Sequence, residues 1–149
     1  MSQDLPYSGR FEGREHRFAV RVYFEDTDFS GVVYHASYLR FMERARSDML
    51  ACAGIGQQDA WQAGEGVYAV AELTIKYVRP ARFDDALVVV STVEQVRAAS
   101  CAIHQRVMLG DEVLARAEVL AAFVRDGRPA RQPKAWVEAF TRLLPQGAS

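Results

Sequence analysis

The eleven residues from Glu25 to His35, EDTDFSGVVYH, combine three acidic side chains, a small turn, an apolar pair and a histidine. The residues that follow have the composition of a helix, and the first amides of a helix lack internal acceptors and lie at its positive end. A carboxylate beside such amides can attack a carbonyl or activate water, while the amides stabilise the oxyanion. Asp28 and His35 are therefore candidate catalytic residues, and the backbone amides of residues 33–36 are candidate donors to a carbonyl oxygen.

Two other interpretations of this stretch stay open. Asp, Ser and Gly are ordinary turn residues, and acidic side chains are common near helix starts, so a simple turn fits as well. A metal site has less support, because His35 has no second histidine at helical spacing and the two cysteines, Cys52 and Cys101, do not form a zinc-type pair. We predict no metal ligand and no cofactor.

The loop is expected to lie between a strand and a long helix. Alternation at Phe18, Val20, Val22 and Phe24 predicts a half-buried strand. After the loop, apolar residues at helical spacing predict a helix of about sixteen residues, with Ser37 as its N-cap and Gly54 at its end. The residues with this spacing are Leu39, Met42, Ala45, Met49, Leu50 and Ala53. Residues 54–66 are glycine-rich and are expected to form a loop that Trp61 packs down.

Four more strands are predicted at residues 67–79, 86–96, 100–109 and 112–125, followed by a short helix at 133–144. Successive strands after one helix favour an α+β fold with a five-stranded antiparallel sheet. Residues 1–16 show no periodicity and are expected to be a flexible N-terminal arm, with residues 17–145 as a single domain. Long apolar strands leave an edge that a second subunit can cover, so we expect a homodimer or homotetramer.

Composition limits the remaining function classes. The chain has 149 residues, 18 basic and 19 acidic, and a formal net charge of −1, which argues against non-specific nucleic-acid binding. No apolar run approaches the roughly 18 residues that a membrane span needs. The two cysteines cannot form a disulfide framework and are expected to be buried thiols. With a polar N-terminus, these features lead us to expect a cytoplasmic protein.

The segment YFEDTDFSGVVYHASYLRFMERAR (23–46) resembles the motif of the 4-hydroxybenzoyl-CoA thioesterase family. It resembles still more closely the bacterial acyl-CoA thioesterases associated with the Tol–Pal envelope system. The similarity extends from residue 17 to about residue 131 and includes YVRPARFDD (77–85) and RPARQP (128–133). The resemblance implies the hotdog fold, in which an antiparallel sheet wraps a long central helix and subunits pair into dimers and commonly tetramers.

The resemblance also implies residue roles. It places the catalytic carboxylate at Asp28 and the carbonyl-polarising amide near His35, and a histidine occupies this position in the closer branch. Tyr34 would line the acyl pocket beside Val33, whereas Asp26 matches a motif acid for which we suggest only that it holds the loop. The chain lacks the HGG-type motif of another branch, whose acid lies on the central helix. Glu43 lies on the helix here and is expected to pair with a neighbouring arginine, Arg40 or Arg46.

Basic residues near the second motif are candidates for contact with coenzyme A. Arg79 and Arg82, with Lys76, could bind its phosphates, although a solvated strand face explains them equally well. His104, on an apolar strand, is expected to be structural, and His16 lies in the predicted arm and suggests no role.

The implied activity is acyl-CoA thioesterase, acting on small or medium acyl-CoA thioesters. One alternative is a non-catalytic hotdog domain that binds acyl-CoA or acyl carrier protein, and another is a dehydratase. Asp28 beside amide donors fits attack on a carbonyl better than removal of a proton from an acyl chain. Acyl length, and whether Asp28 acts as nucleophile or base, stay open.

Overall fold

The computed structural model describes residues 3–145, which form an antiparallel sheet of seven strands with three α-helices. The strands are β1 (Arg10–Glu12), β2 (Glu15–Arg21), β3 (Val67–Tyr77), β4 (Ala86–Val96), β5 (Ser100–Leu109), β6 (Glu112–Arg125) and β7 (Arg128–Pro129), and the helices are α1 (His35–Cys52), α2 (Gln57–Gln62) and α3 (Lys134–Thr141). Neighbouring strands follow the order β1-β2-β4-β5-β6-β3, and β7 pairs with β6.

The α+β class is confirmed, but the prediction of five strands is wrong. The two additional strands, β1 and β7, are only three and two residues long, too short to show a period in the sequence. Residues 10–12 and 15–16, assigned from sequence to the arm, belong to β1 and β2, which pair in the register Arg10 to Arg17. Gly13 makes the tight turn between them with a φ of 60°, a conformation that suits glycine.

The long helix α1 packs against β2, β4 and β5 and supplies one side of the core. Its buried face consists of Ser37, Tyr38, Phe41, Met42, Ala45, Met49 and Leu50. Leu39, predicted on this face, is 37% exposed. The helix begins at His35, with Tyr34 as its N-cap, so the expected capping residue Ser37 lies inside the first turn and is buried. Gly54 follows the helix end with a φ of 82°, as expected of a helix-terminating glycine.

The segment between α1 and β3 contains a helix that the sequence did not predict. Four glycines suggested a loop, yet α2 forms at Gln57–Gln62, and Trp61 is 62% exposed rather than packed down. Ala60 supplies the buried contact of this short helix, so an alanine rather than the aromatic residue faces the protein. No helix among residues 3–145 is both long and apolar enough to cross a membrane.

β3 lies at one end of the sheet formed by the described residues, because its partner there is β6. Val67 and Val70 on this strand are 38% and 49% exposed. The strand is eleven residues long, and its outer edge has no partner strand among residues 3–145, so this edge can pair with another chain.

Candidate active site

A short closed loop separates β2 from α1. The Asp28 amide donates to the Val32 carbonyl at 3.0 Å, and the Gly31 amide donates to the Asp28 carbonyl at 3.2 Å. Thr27 and Val33 form an isolated antiparallel bridge below this turn. Gly31 has a φ of 82°, a left-handed conformation that suits glycine. Asp28 therefore lies in a hydrogen-bonded turn whose last residues lead directly into α1.

The Asp28 carboxylate is exposed and held through one oxygen. Its Oδ1 accepts a hydrogen bond from the Ser30 amide at 2.8 Å and another from the Ser30 hydroxyl at 2.6 Å. These two bonds, the hydroxyl bond most strongly, lower the pKa of Asp28 below its ordinary value. The side chain is consequently an ionised carboxylate at neutral pH, the form that a nucleophile or a general base requires.

Asp26 has a different environment from Asp28. Its side chain is buried, and its Oδ2 accepts a hydrogen bond from the Tyr23 amide at 2.8 Å, which closes a short 3-10 helix at Phe24–Asp26. Its backbone carbonyl accepts the Tyr34 amide at 2.8 Å. Asp26 thus ties the start of the loop to the start of α1, the holding role suggested from sequence. The same turn ends β2 early and leaves Phe24, predicted on the buried strand face, 79% exposed.

The amides at the start of α1 are not equally available. The Val33 amide donates to the Ala81 carbonyl and the Tyr34 amide to the Asp26 carbonyl, both at 2.8 Å. These two were expected among the donors to substrate, and the backbone pairing of the loop uses them instead. In the hydrogen bonds of residues 3–145, the His35 and Ala36 amides have no acceptor. These two amides are therefore available to a ligand oxygen at this helix start.

Two tyrosines that were not predicted as site residues, Tyr38 and Tyr77, lie near His35. The Tyr77 hydroxyl donates to the His35 carbonyl at 2.8 Å, and the Tyr77 and His35 rings meet edge to face with centroids 6.4 Å apart. The Tyr38 hydroxyl accepts the Ala81 amide at 2.9 Å and so fixes the segment after β3 to α1. Tyr77 is distant from the loop in sequence, and Tyr38 lies among the residues of the predicted helix. Neither tyrosine has neighbours in sequence that mark it as a functional residue.

The predicted site residues divide between a cavity and the surrounding surface. A cavity of about 280 Å³ is lined by Val33, His35, Tyr38, Tyr77, Val78, Arg79 and Pro80. Tyr34 lies outside this lining; it is 47% exposed, and its ring centroid is 4.4 Å from that of His35. Arg79 forms an exposed ion pair with Glu112 at 3.5 Å. Arg82 joins the loop through its backbone, which bridges to Val32 and donates to the Asp85 carboxylate.

A second cavity, of about 340 Å³, lies between α1 and strands β3 and β5. Glu43 and Arg46 line it together with Met49, Leu50, Tyr68, Val70, Ile103 and Phe140. The expected pairing of Glu43 is not found within residues 3–145. Arg46 donates instead to the Gln105 side chain at 2.9 Å, and Arg40 donates to the Ser37 hydroxyl at 2.9 Å.

A polar cluster away from the loop fastens the N-terminal segment to α1. His16 is fully buried, and its Nε2 lies 2.7 Å from Oδ2 of Asp48. The same carboxylate accepts the Gly9 amide at 2.9 Å, the Ser8 hydroxyl at 3.2 Å and the Cys52 thiol at 3.4 Å. His16 was assigned no role from sequence, and Cys52, expected to be buried, is exposed whereas Cys101 is buried.

Hydrogen bonding explains this cluster better than metal ligation. Ligand-type atoms of His16, Asp48 and Cys52 lie within 4.8 Å of one another. Two ligands about 2.0 Å from a tetrahedral zinc ion are roughly 3.3 Å apart, whereas the His16 and Asp48 atoms are at hydrogen-bonding distance, 2.7 Å. Burial lowers the pKa of His16, so the ring is neutral at neutral pH. Burial alone would raise the pKa of Asp48, but the four hydrogen bonds, that of His16 first, leave it lowered.

Comparison of the sequence with known proteins identifies the family of this chain. The model of the thioesterase-like superfamily matches residues 22–142, which include the whole loop and α1. The chain belongs to the thioesterase-like superfamily. It is 41% identical over 128 residues to "Acyl-CoA thioesterase YbgC" of Haemophilus influenzae, covering 85% of this chain and 94% of the relative. It is 41% identical over 127 residues to "Acyl-CoA thioester hydrolase YbgC" of Escherichia coli O157:H7, covering 83% and 94%.

A solved structure supports the same assignment for this thioesterase. The probable thioesterase of Bartonella henselae superposes with a TM-score of 0.76 at 36% identity, covering 80% of this chain and 99% of that one. The hotdog fold expected from the motif is therefore confirmed, with seven strands in place of five. The prediction of a thioester hydrolase is confirmed as well.

Proposed function

We propose that this thioesterase hydrolyses the thioester of small or medium acyl-CoA substrates, with Asp28 as its catalytic carboxylate. One arrangement carries the proposal. An ionised carboxylate is held by Ser30 in a loop that runs directly into a helix whose first two amides have no acceptor within residues 3–145. Acyl-CoA as substrate agrees with the names of the relatives from Haemophilus influenzae and Escherichia coli.

The reaction adds water across the C–S bond and releases a carboxylic acid and a thiol. The amides of His35 and Ala36 would stabilise the oxyanion that forms at the carbonyl oxygen. Asp28 would either attack the carbonyl carbon, giving a mixed anhydride that water opens, or take a proton from the attacking water. The His35 ring would orient the acyl group, and these residues need no cofactor for either route.

The substrate would contact the surface around the smaller cavity. Val33 and His35 line it, Tyr34 flanks it, and Arg79 and Arg82 lie on the segment where coenzyme A phosphates would bind. Ligand pockets are commonly about 300–1,000 Å³, and the two cavities, of about 280 and 340 Å³, are close to the lower end of this range, which is the size we expect for small or medium acyl groups. Asp28 lines neither cavity, whereas His35 lines the smaller one, so we place the reacting carbonyl there.

We also propose an oligomeric state and a cellular location for this thioesterase. The exposed edge of β3 is suited to pairing with a second copy, and we propose a homodimer or homotetramer. The motif at residues 23–46 supports placement in the 4-hydroxybenzoyl-CoA thioesterase family, next to the Tol–Pal-associated branch. We propose that the protein acts in the cytoplasm and that acyl carrier protein is a second acyl donor.

A thiol-release screen tests the function. Purified protein is offered short, medium, long and aromatic acyl-CoAs and an acylated carrier protein, and free thiol is measured with a chromogenic reagent. We expect turnover of short or medium acyl-CoA that Asp28→Asn abolishes. Tight binding of acyl-CoA without thiol release would instead support the non-catalytic acyl-binding alternative.

A further inference from the structure

The two oxygens of the Asp28 carboxylate have different surroundings. Both hydrogen bonds from Ser30 go to Oδ1. Within residues 3–145, no hydrogen bond or ion pair of ordinary geometry is made to Oδ2, and the backbone amides of Val32 and Asp28 contribute to the lowered pKa of this carboxylate less than Ser30 does. One neighbour therefore occupies one oxygen and leaves the other open to solvent, where a substrate can approach.

Ser30 can hold the carboxylate in one orientation because it donates from two different groups. The bond from its hydroxyl, at 2.6 Å, has the short length of a charge-assisted O–H···O⁻ hydrogen bond. Its amide is fixed by the closed loop, in which Asp28 and Val32 pair and Gly31 makes the turn. Two donors at different positions restrict rotation of the carboxylate, which a single donor would permit.

We propose that Ser30 is a positioning residue for catalysis, which binds Oδ1 of Asp28 so that Oδ2 is the oxygen that reacts. This inference rests on the proposed catalytic role of Asp28. In the nucleophilic route, Oδ2 forms the bond to the carbonyl carbon, the C–S bond breaks, and the thiolate of coenzyme A leaves; water then opens the mixed anhydride. In the general-base route, Oδ2 accepts the proton of the attacking water. In both routes the Ser30 hydroxyl keeps its proton and stabilises the ionised form until the reaction begins.

The lowered pKa of Asp28 comes from its own loop, first from the Ser30 hydroxyl and then from the Ser30 amide. Elements packed against the loop carry other titratable or charged groups, namely Asp26 before it, His35 on α1, and Arg82, Asp84 and Asp85 after β3. Among residues 3–145, none of these groups is hydrogen-bonded or ion-paired to the Asp28 carboxylate. Removal of the Ser30 hydroxyl should therefore move the titration of Asp28 directly.

The test compares three variants with the parent by the pH dependence of kcat/KM for one acyl-CoA. Ser30→Ala removes the hydroxyl and keeps the amide. Ser30→Thr keeps a hydroxyl and serves as the conservative rescue. Thr27→Val is the matched control, because the Thr27 hydroxyl lies in the same loop but donates to the Phe24 carbonyl at 2.7 Å instead of to Asp28. Asp28→Asn is measured alongside to test the role on which the inference rests.

For Ser30→Ala we expect the acidic limb of the profile to move to higher pH, with kcat about tenfold lower and KM within twofold of the parent. Ser30→Thr should restore the parental limb, and Thr27→Val should leave it in place. If the limb of Ser30→Ala does not move while Asp28→Asn is inactive, the positioning role is wrong although the proposed catalytic carboxylate stands. If Asp28→Asn is active, the catalytic assignment fails first, and the role of Ser30 with it.

Discussion

Replacement of Asp28 by asparagine should abolish turnover and leave the fold intact. Asparagine is nearly isosteric with aspartate, and its amide oxygen can still accept both hydrogen bonds from Ser30. The side chain is exposed, so removal of its charge leaves no unpaired group in the interior. What the variant loses is the ionised oxygen that would attack the carbonyl or accept the proton of water.

The expected fall in kcat is at least about a thousandfold, an increase in the barrier of roughly 4 kcal/mol. KM should change little, because the carboxylate acts mainly in the transition state. Asp26→Asn is the matched control, with the same chemical change two positions away. The Asp26 carboxylate is buried and accepts the Tyr23 amide; asparagine can still accept this bond but as a neutral group, so the change should cost about 1–2 kcal/mol of unfolding free energy. For a domain of this size, that is a fall in Tm of roughly 2–8 °C.

The assay is steady-state thiol release by both variants, with thermal melts measured in the same buffer. We expect an inactive Asp28→Asn with a parental melt, and an Asp26→Asn that keeps substantial activity but melts earlier. If Asp28→Asn retains more than about a tenth of the parental kcat while Asp26→Asn is inactive, the two carboxylates have exchanged roles. Full activity in both variants would mean that the loop is only a turn.

Three further predictions concern the helix start, the N-terminal cluster and the subunit edge. His35→Ala should slow turnover by about ten- to a thousandfold yet leave measurable activity, because the backbone amide survives; activity within twofold of the parent would show that the ring has no role. Burial lowers the pKa of His16 from 6.5, so its contribution to stability is complete above that pH and is lost as pH falls through the folded-state value. Urea unfolding from about pH 7 to pH 5 should therefore show a steeper loss of stability in the parent than in His16→Gln, and equal slopes would contradict the effect. Light scattering with size exclusion should give a multiple of 16.7 kDa, and a monomer at micromolar concentration would contradict pairing at β3.

The periodic parts of the fold could be predicted from sequence because their signal is local. Strands β4, β5 and β6 were predicted with the bounds that the structure has, since each is ten or more residues long and rich in apolar residues, and the turns at 110–111 and 126–127 mark the ends of β5 and β6. The turn at Asp126 and Gly127 was predicted for the same reason, and both residues have positive φ, at 53° and 74°. Helix α1 was found as an element, although its start and one of its face residues were not.

Parts of the candidate site could also be predicted from the sequence. Asp28 and His35 lie seven residues apart at a strand-to-helix junction, so their shared loop follows from neighbouring residue types. The different surroundings of Asp26 and Asp28 do not follow, because an extended segment would place both side chains on the same face. The turn at Phe24–Asp26 directs one carboxylate inward to the Tyr23 amide and leaves the other exposed.

The remaining features depend on contacts between distant residues. Backbone pairing of Val33 with Ala81 and of Tyr34 with Asp26 decides which amides stay available. The Tyr77 hydroxyl reaches the His35 carbonyl across 42 positions of sequence. His16 is buried against Asp48 by the packing of a short hairpin on α1. The local periodicity of a sequence indicates which face of an element is apolar. A hydrogen bond between two elements depends on their relative placement, and tertiary packing decides that placement.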